Sequence, residues 1–199
     1  TTTTTTVNLA ASLSKKKKKV LLIDLDPQGN ATSGSGIKKS MTAGSIYEVL
    51  IGQNTLKNII VTSKESFFDV ATANQSLAGA EIELVDIPDR EYILKKQIES
   101  LNKQYDFILI DCPPALNLLT VNALVAANSV LIPMQCEYFA LEGLSDLVNT
   151  IKKVKNHLNT EIEIEGLLRT LFDKRNTLAQ QVSEQLSAHF GSKVYETII

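Results

Sequence analysis

The stretch VLLIDLDPQGNATSG, residues 20–34, decides how the chain is read. Apolar side chains run from Val20 to Ile23, aspartates follow at 24 and 26 with one leucine between them, and the chain breaks at once into Pro27, Gln28, Gly29 and Asn30. A near-continuous apolar run of this length marks a strand buried on both faces, as in a parallel sheet covered by helices. Ending it in carboxylates puts charge at the carboxyl edge of the sheet, where ligands bind in open α/β folds. Side chains alternate along a strand, so Asp24 and Asp26 are expected on one side if the strand continues through Leu25. Pro27 then fixes the exit and Gly29 permits a sharp turn. The pair can serve a ligand, or can be the solvated acids of a capped turn.

A second stretch, YDFILIDCPPAL (residues 105–116), repeats the pattern. Four apolar residues running into Asp111 have the form of a Walker B strand, whose aspartate holds magnesium beside nucleotide phosphates. The same pattern also suits a helix-capping or loop aspartate. Cys112 reads as a small buried filler, since a reactive thiol needs a neighbouring base or positive field. A carboxylate at a strand tip, as Asp26 would be, can orient an attacking water.

Outward from these two strands the chain alternates strand and helix. Periodicity predicts a helix over about 4–14, a strand at 20–24, a short helix ending at Gly52, short strands in 58–63 and 67–73, and a helix from a Ser76 cap over 76–85. An amphipathic crossover helix follows within 89–103, then the strand 107–111, helix 115–127, strand 129–135 and a long amphipathic helix over 139–158. Strand 164–172, helix 177–191 and strand 193–199 close the order. This rhythm predicts an α/β fold, a mostly parallel sheet with helices on both faces. The length of 199 residues fits one domain of ordinary size, and 44% hydrophobic with 21% charged residues is a globular composition. No apolar run approaches the roughly 18 to 20 residues that span a bilayer. Two cysteines with no CxxC spacing give neither a disulfide framework nor a zinc knuckle, which suits a reducing cytoplasm. A net charge of −2 argues against wholesale coating of nucleic acid and leaves room for a local basic patch. Homopolymer runs stand out at 1–6 (threonine) and 15–19 (lysine), the second reading as a solvated helix end and turn.

Four blocks taken together, VLLIDLDPQGNATSG, DFILIDCPPAL, SVLIPMQCEYFALEGL and LLRTLFDKRNTLAQQV, resemble the ParA/Soj partitioning ATPases of the ParA and MinD group of deviant Walker proteins. The likeness runs from Val7 to Ile199 and implies a P-loop NTPase-like three-layer sandwich, with residues 1–199 forming one ATPase domain shortened at both ends. It implies an ATP- and Mg2+-dependent ATPase that forms a homodimer with ATP and binds DNA nonspecifically. Hydrolysis, stimulated by a ParB-type partner, would reset it in the cytoplasm at the nucleoid, with no membrane expected. A non-hydrolysing adaptor of the same fold and a MinD-like membrane-associated ATPase are the alternatives. By the same resemblance Asp26 positions the attacking water, while Thr3, Asp24 and Asp111 serve the magnesium. Arg175 in FDKRN meets the DNA backbone, or is an exposed loop arginine. The phosphate loop falls on Thr1, Thr2, Thr3 and Thr4, with Thr2 at its lysine and Thr3 at its threonine. The loop's glycines and lysines are not in the chain, and threonines are poor helix formers for a helix start.

Overall fold

The computed structural model describes residues 2–38, 42–65, 67–101 and 104–199. The chain divides into two compact units, Thr3–Ala126 and Ala127–Ile199 with Thr1–Thr2.

In the larger unit, helix α1 (Thr2–Lys15) leads into strand β1 (Val20–Asp24), all five of whose residues are buried. Short helices α2 (Asn30–Gly34), α3 (Ile46–Leu50) and α4 (Leu56–Ile59) follow, then strands β2 (Ile60–Thr62) and β3 (Asp69–Ala71). Helix α5 (Leu77–Glu83), a 3-10 turn at Arg90–Tyr92, α6 (Ile93–Glu99), β4 (Phe107–Asp111) and α7 (Leu118–Ala126) complete it. The sheet order is β2-β3-β1-β4, with β1 parallel to both β3 and β4.

Alternation along β1 explains the two covered faces. Leu21 and Ile23 pack into a core with Ile46, Val49, Leu77, Leu94 and Leu119, drawn from α3, α5, α6 and α7. Val20 and Leu22 point the other way, to Ala10 of α1, Ala31 of α2 and Phe68. Each fully buried leucine or isoleucine contributes roughly 2 kcal/mol, so the central strand is fixed by its neighbours above and below. That burial also carries α1 back to Thr2, although the threonines favour helix poorly: Val7, Ala10 and Ala11 seat the helix on the sheet.

Several boundaries differ from the sequence reading. The first strand stops at Asp24, so Asp26 lies in the following turn, half-buried, rather than on a shared strand face. Strand β2 runs antiparallel to β3, a short hairpin-like edge on an otherwise parallel sheet. Ser76 stands at the N-cap of α5, as expected, but its side chain makes no capping bond; its amide donates to Asn74 Oδ1. The crossover helix is split between the 3-10 turn and α6, and residues 102 and 103 at its expected end lie outside the described residues. Helix α7 starts at Leu118 because Asn117 caps it, accepting the Thr120 amide at 3.2 Å.

The smaller unit holds three parallel strands in the order β5 (Ser129–Met134), β6 (Glu163–Arg169), β7 (Val194–Ile198), with helices α8 (Ala140–His157) and α9 (Thr177–Phe190). Asn176 caps α9 by accepting the amides of Leu178 and Ala179. The Arg169 guanidinium donates to Ser183 Oγ on α9 at 2.8 Å and to the Tyr195 carbonyl on β7 at 2.7 Å, tying helix and last strand to β6. Gly166 is the one residue that fits where β7 closes in, since a Cβ there would stand 2.6 Å from the Tyr195 ring.

Candidate functional site

Because β1 and β4 are parallel and in register, Asp24 and Asp111 are paired residues at adjacent strand tips, with backbones about 4.8 Å apart. Both are fully buried. Their surroundings differ. Asp24 Oδ2 accepts both the Thr32 amide and the Thr32 hydroxyl at 2.7 Å, and Oδ1 accepts the Asp26 amide at 3.2 Å. The Thr32 hydroxyl in turn accepts the Ala73 amide at 3.0 Å, so one side chain joins the β1 exit, α2 and the segment after β3. Burial pushes the Asp24 carboxyl above its ordinary value, with the Thr32 hydrogen bonds opposing the shift.

Asp111 receives hydroxyls from α1. Thr6 Oγ1 donates to its Oδ1 at 3.3 Å, and Thr3 is a further side-chain donor. Its other oxygen, Oδ2, is buried with no hydrogen-bond partner. Burial raises the Asp111 carboxyl to about 6, against the Thr3 bond, and the charges of Asp24 and Asp26 add to the rise. A buried carboxylate oxygen without a donor is costly, and it calls for a cation or a strongly polarised water. Magnesium keeps most of its water shell and binds through one or two carboxylates, so the unpartnered Asp111 Oδ2 fits such an ion. Among the described residues, no three His, Cys, Asp or Glu side chains gather as a direct-ligand cage.

Asp26 stands at the rim. One of its oxygens accepts the Gln28 amide at 2.9 Å, and its carbonyl accepts the Gly29 amide at 2.8 Å. Gly29 takes φ 59°, the left-handed conformation the turn requires before α2. Burial, with the charge of Asp111 adding, pushes the Cys112 thiol up to about 12, which disfavours the reactive thiolate.

The structure therefore brings Thr3, Asp24, Asp26 and Asp111 to one edge. Thr2 and Thr4 lie exposed in the first turn of α1, and Thr1 falls outside the described residues. The first basic side chain in the sequence is Lys15, at the far end of α1, so this stretch brings no cation of its own to the helix start. Arg175 belongs to the smaller unit, 90% exposed in its side chain, and is held bidentately by Asp173 with Nε at 3.1 Å and Nη2 at 2.9 Å. Sequence reasoning missed Thr6 and Thr32. Thr6 was hidden in a homopolymer run, and Thr32 sits eight residues from its partner with no periodicity to mark it. The smaller unit also has an open concavity of about 430 Å3 along Ile132, Met134, Phe139 and Leu144, with Glu137 its one carboxylate.

A parallel sheet clothed on both faces, with paired carboxylates at its tips under a helix start lined with hydroxyls, defines a P-loop NTPase-like nucleotide-binding fold. Residues 1–164 match the AAA domain family. The sporulation initiation inhibitor protein Soj of Bacillus subtilis is 51% identical over 90% of this chain and 71% of its own. Cobyrinic acid a,c-diamide synthase from Mycobacterium smegmatis, with bound ATP analogue and magnesium, superposes with a TM-score of 0.89 at 36% identity, covering 96% of this chain and 78% of that one. A plasmid partition protein from Borrelia burgdorferi gives a TM-score of 0.80 at 28% identity, over 96% and 80%. The chain belongs to the ParA/Soj family of partitioning ATPases.

Proposed function

We propose that the protein is an ATP-driven DNA-partitioning switch. With ATP bound it pairs with a second copy, the dimer holds DNA without regard to sequence, and hydrolysis stimulated by a ParB-type partner releases it. Residues 1–199 act as one ATPase domain in this reading, working in the cytoplasm at the nucleoid. The observation that carries it is the Asp24–Asp111 pair, in which Asp111 keeps one buried oxygen without a donor. When bound, ATP and Mg2+ supply the phosphoryl electrophile and neutralise its charge.

The chain's own residues have separate tasks. With magnesium bound, Asp111 would accept hydrogen bonds from the ion's water and the Thr3 hydroxyl would be a ligand to it. Thr2, Thr3 and Thr4 serve the phosphate side, where the amides of a helix start favour an anion. Asp24 holds the loop after β1 in place through Thr32 and supports the metal side. Asp26, half-exposed at the rim, orients the attacking water and accepts its proton. Arg175 exchanges Asp173 for a DNA phosphate, a contact with no sequence information that weakens as salt rises. Coupling obeys linkage: ATP promotes DNA binding only as far as it favours the dimer, and DNA favours the ATP state to the same degree.

The test is retention of the full-length protein on nonspecific DNA with ATP and Mg2+, with ADP, and with no nucleotide, alongside ATP turnover. Retention should require ATP. Asp26→Ala should keep ATP-dependent retention while turnover falls at least about 100-fold, the scale of losing a general base. Equal loss of nucleotide binding would show that Asp26 has another role. Arg175→Glu should weaken retention and leave basal turnover unchanged. Retention independent of nucleotide, or none at all, overturns the switch.

A further inference from the structure

We infer that the lysine run at 15–19 is a docking ridge for the phosphate backbone of duplex DNA, additional to Arg175. This rests on the DNA-binding reading above. The run links the end of α1 to the start of β1, at the amino edge of the larger unit's sheet and away from the carboxylate tips. All five lysines are exposed, and none takes part in an ion pair among the described residues. Asp106, the acid beside the run, spends a carboxylate oxygen on the Lys19 backbone amide at 2.8 Å.

Local structure accounts for only part of this charge. Lys15 and Lys16 complement the negative end of the α1 dipole. Lys17 does not. It occupies the left-handed position after the helix, at φ 61°, while the Lys18 amide closes back onto the Leu13 carbonyl at 3.2 Å. Glycine is the residue that suits this position, because a side chain there is strained. Lys17 thus adds a like charge between like charges at a place where the fold would favour no side chain. A linear polyanion resolves both facts, since phosphates can follow the ridge and each contact releases a counterion. A bilayer fits less well: it is a plane, and would press the exposed Asp106 against its own negative surface.

The experiment compares full-length wild type, Arg175→Glu and the triple variant Lys16→Gln/Lys17→Gly/Lys18→Gln. It measures ATP-dependent retention on nonspecific duplex DNA from 50 to 300 mM salt. The triple variant should bind at least about tenfold more weakly at low salt, and its slope of log affinity against log salt should be shallower by about 2 to 3, at roughly 0.9 per phosphate lost. Basal ATP turnover should stay unchanged, and the melting temperature should hold or rise because glycine relieves position 17, which separates the effect from misfolding. If wild type binds and Arg175→Glu weakens it while the triple variant keeps the wild-type slope, the ridge is refuted and the switch stands. If wild type fails to bind DNA, both fall. Loss of flotation with vesicles of 70% phosphatidylcholine and 30% phosphatidylglycerol, at an unchanged DNA slope, would assign the ridge to a membrane instead and overturn this inference.

Discussion

The tips of β1 and β4 carry the same residue in the same register at the same burial, yet they are built for different ends. Asp24 has its carboxylate filled by three donors from its own chain, and its loop is fixed as a result. Asp111 takes the Thr6 hydroxyl on one oxygen, and its other oxygen has no hydrogen-bond partner. The difference teaches that position at a sheet edge does not define a ligand site; the unspent hydrogen-bonding capacity of the group does.

The largest effect should come from removing the satisfied member. Asp24→Ala strands the Thr32 amide, the Thr32 hydroxyl and the Asp26 amide, and should cost about 3 kcal/mol or more in urea unfolding. A loss below about 1 kcal/mol would show that Asp24 is as unspent as Asp111.

Asp111→Asn should act in the opposite direction on stability. Its folded carboxyl lies near 6 against 3.8 as the ordinary value. The folded state therefore holds a proton that the unfolded state has lost, and the group's contribution to stability drains away as pH rises from about 4 to about 6. Above that window the ionised side chain costs the metal-free protein up to about 3 kcal/mol. The variant should be more stable than wild type at pH 7.5, nearly equal to it at pH 4, and stripped of Mg2+-dependent turnover. Equal stability gains at both pH values would break the comparison. Thr32→Val is the smallest test: it removes one hydroxyl that serves both Asp24 and Ala73, and should cost about 1 to 2 kcal/mol without touching the response to magnesium.

The two strands that frame the site were legible because an apolar run ending in aspartate is a local signal; β1 and β4 occupy the residues expected of them. What escaped was set by tertiary contacts. The antiparallel pairing of β2 depends on which edge of β3 is free, and the placement of Asp26 depends on where Pro27 ends the strand. The donors to the carboxylates were less legible still. Thr6 is one of six identical letters, and its value comes from α1 crossing a strand 105 residues away. The metal role of Thr3 comes from resemblance alone; what the structure adds is a hydrogen bond from its hydroxyl to Asp111. Arg175 is legible as a residue type in its block, whereas the grip of Asp173 two positions earlier depends on a turn that brings the two side chains together.

The double duty of the Thr32 hydroxyl makes the Ala73 amide proton a remote gauge. Any rearrangement that draws Asp24 toward an incoming charge must loosen or reorient that hydroxyl, and the backbone proton some forty residues along the chain will exchange with solvent at a new rate. The occupancy of the carboxylate edge can then be watched at a position that never touches what is bound there.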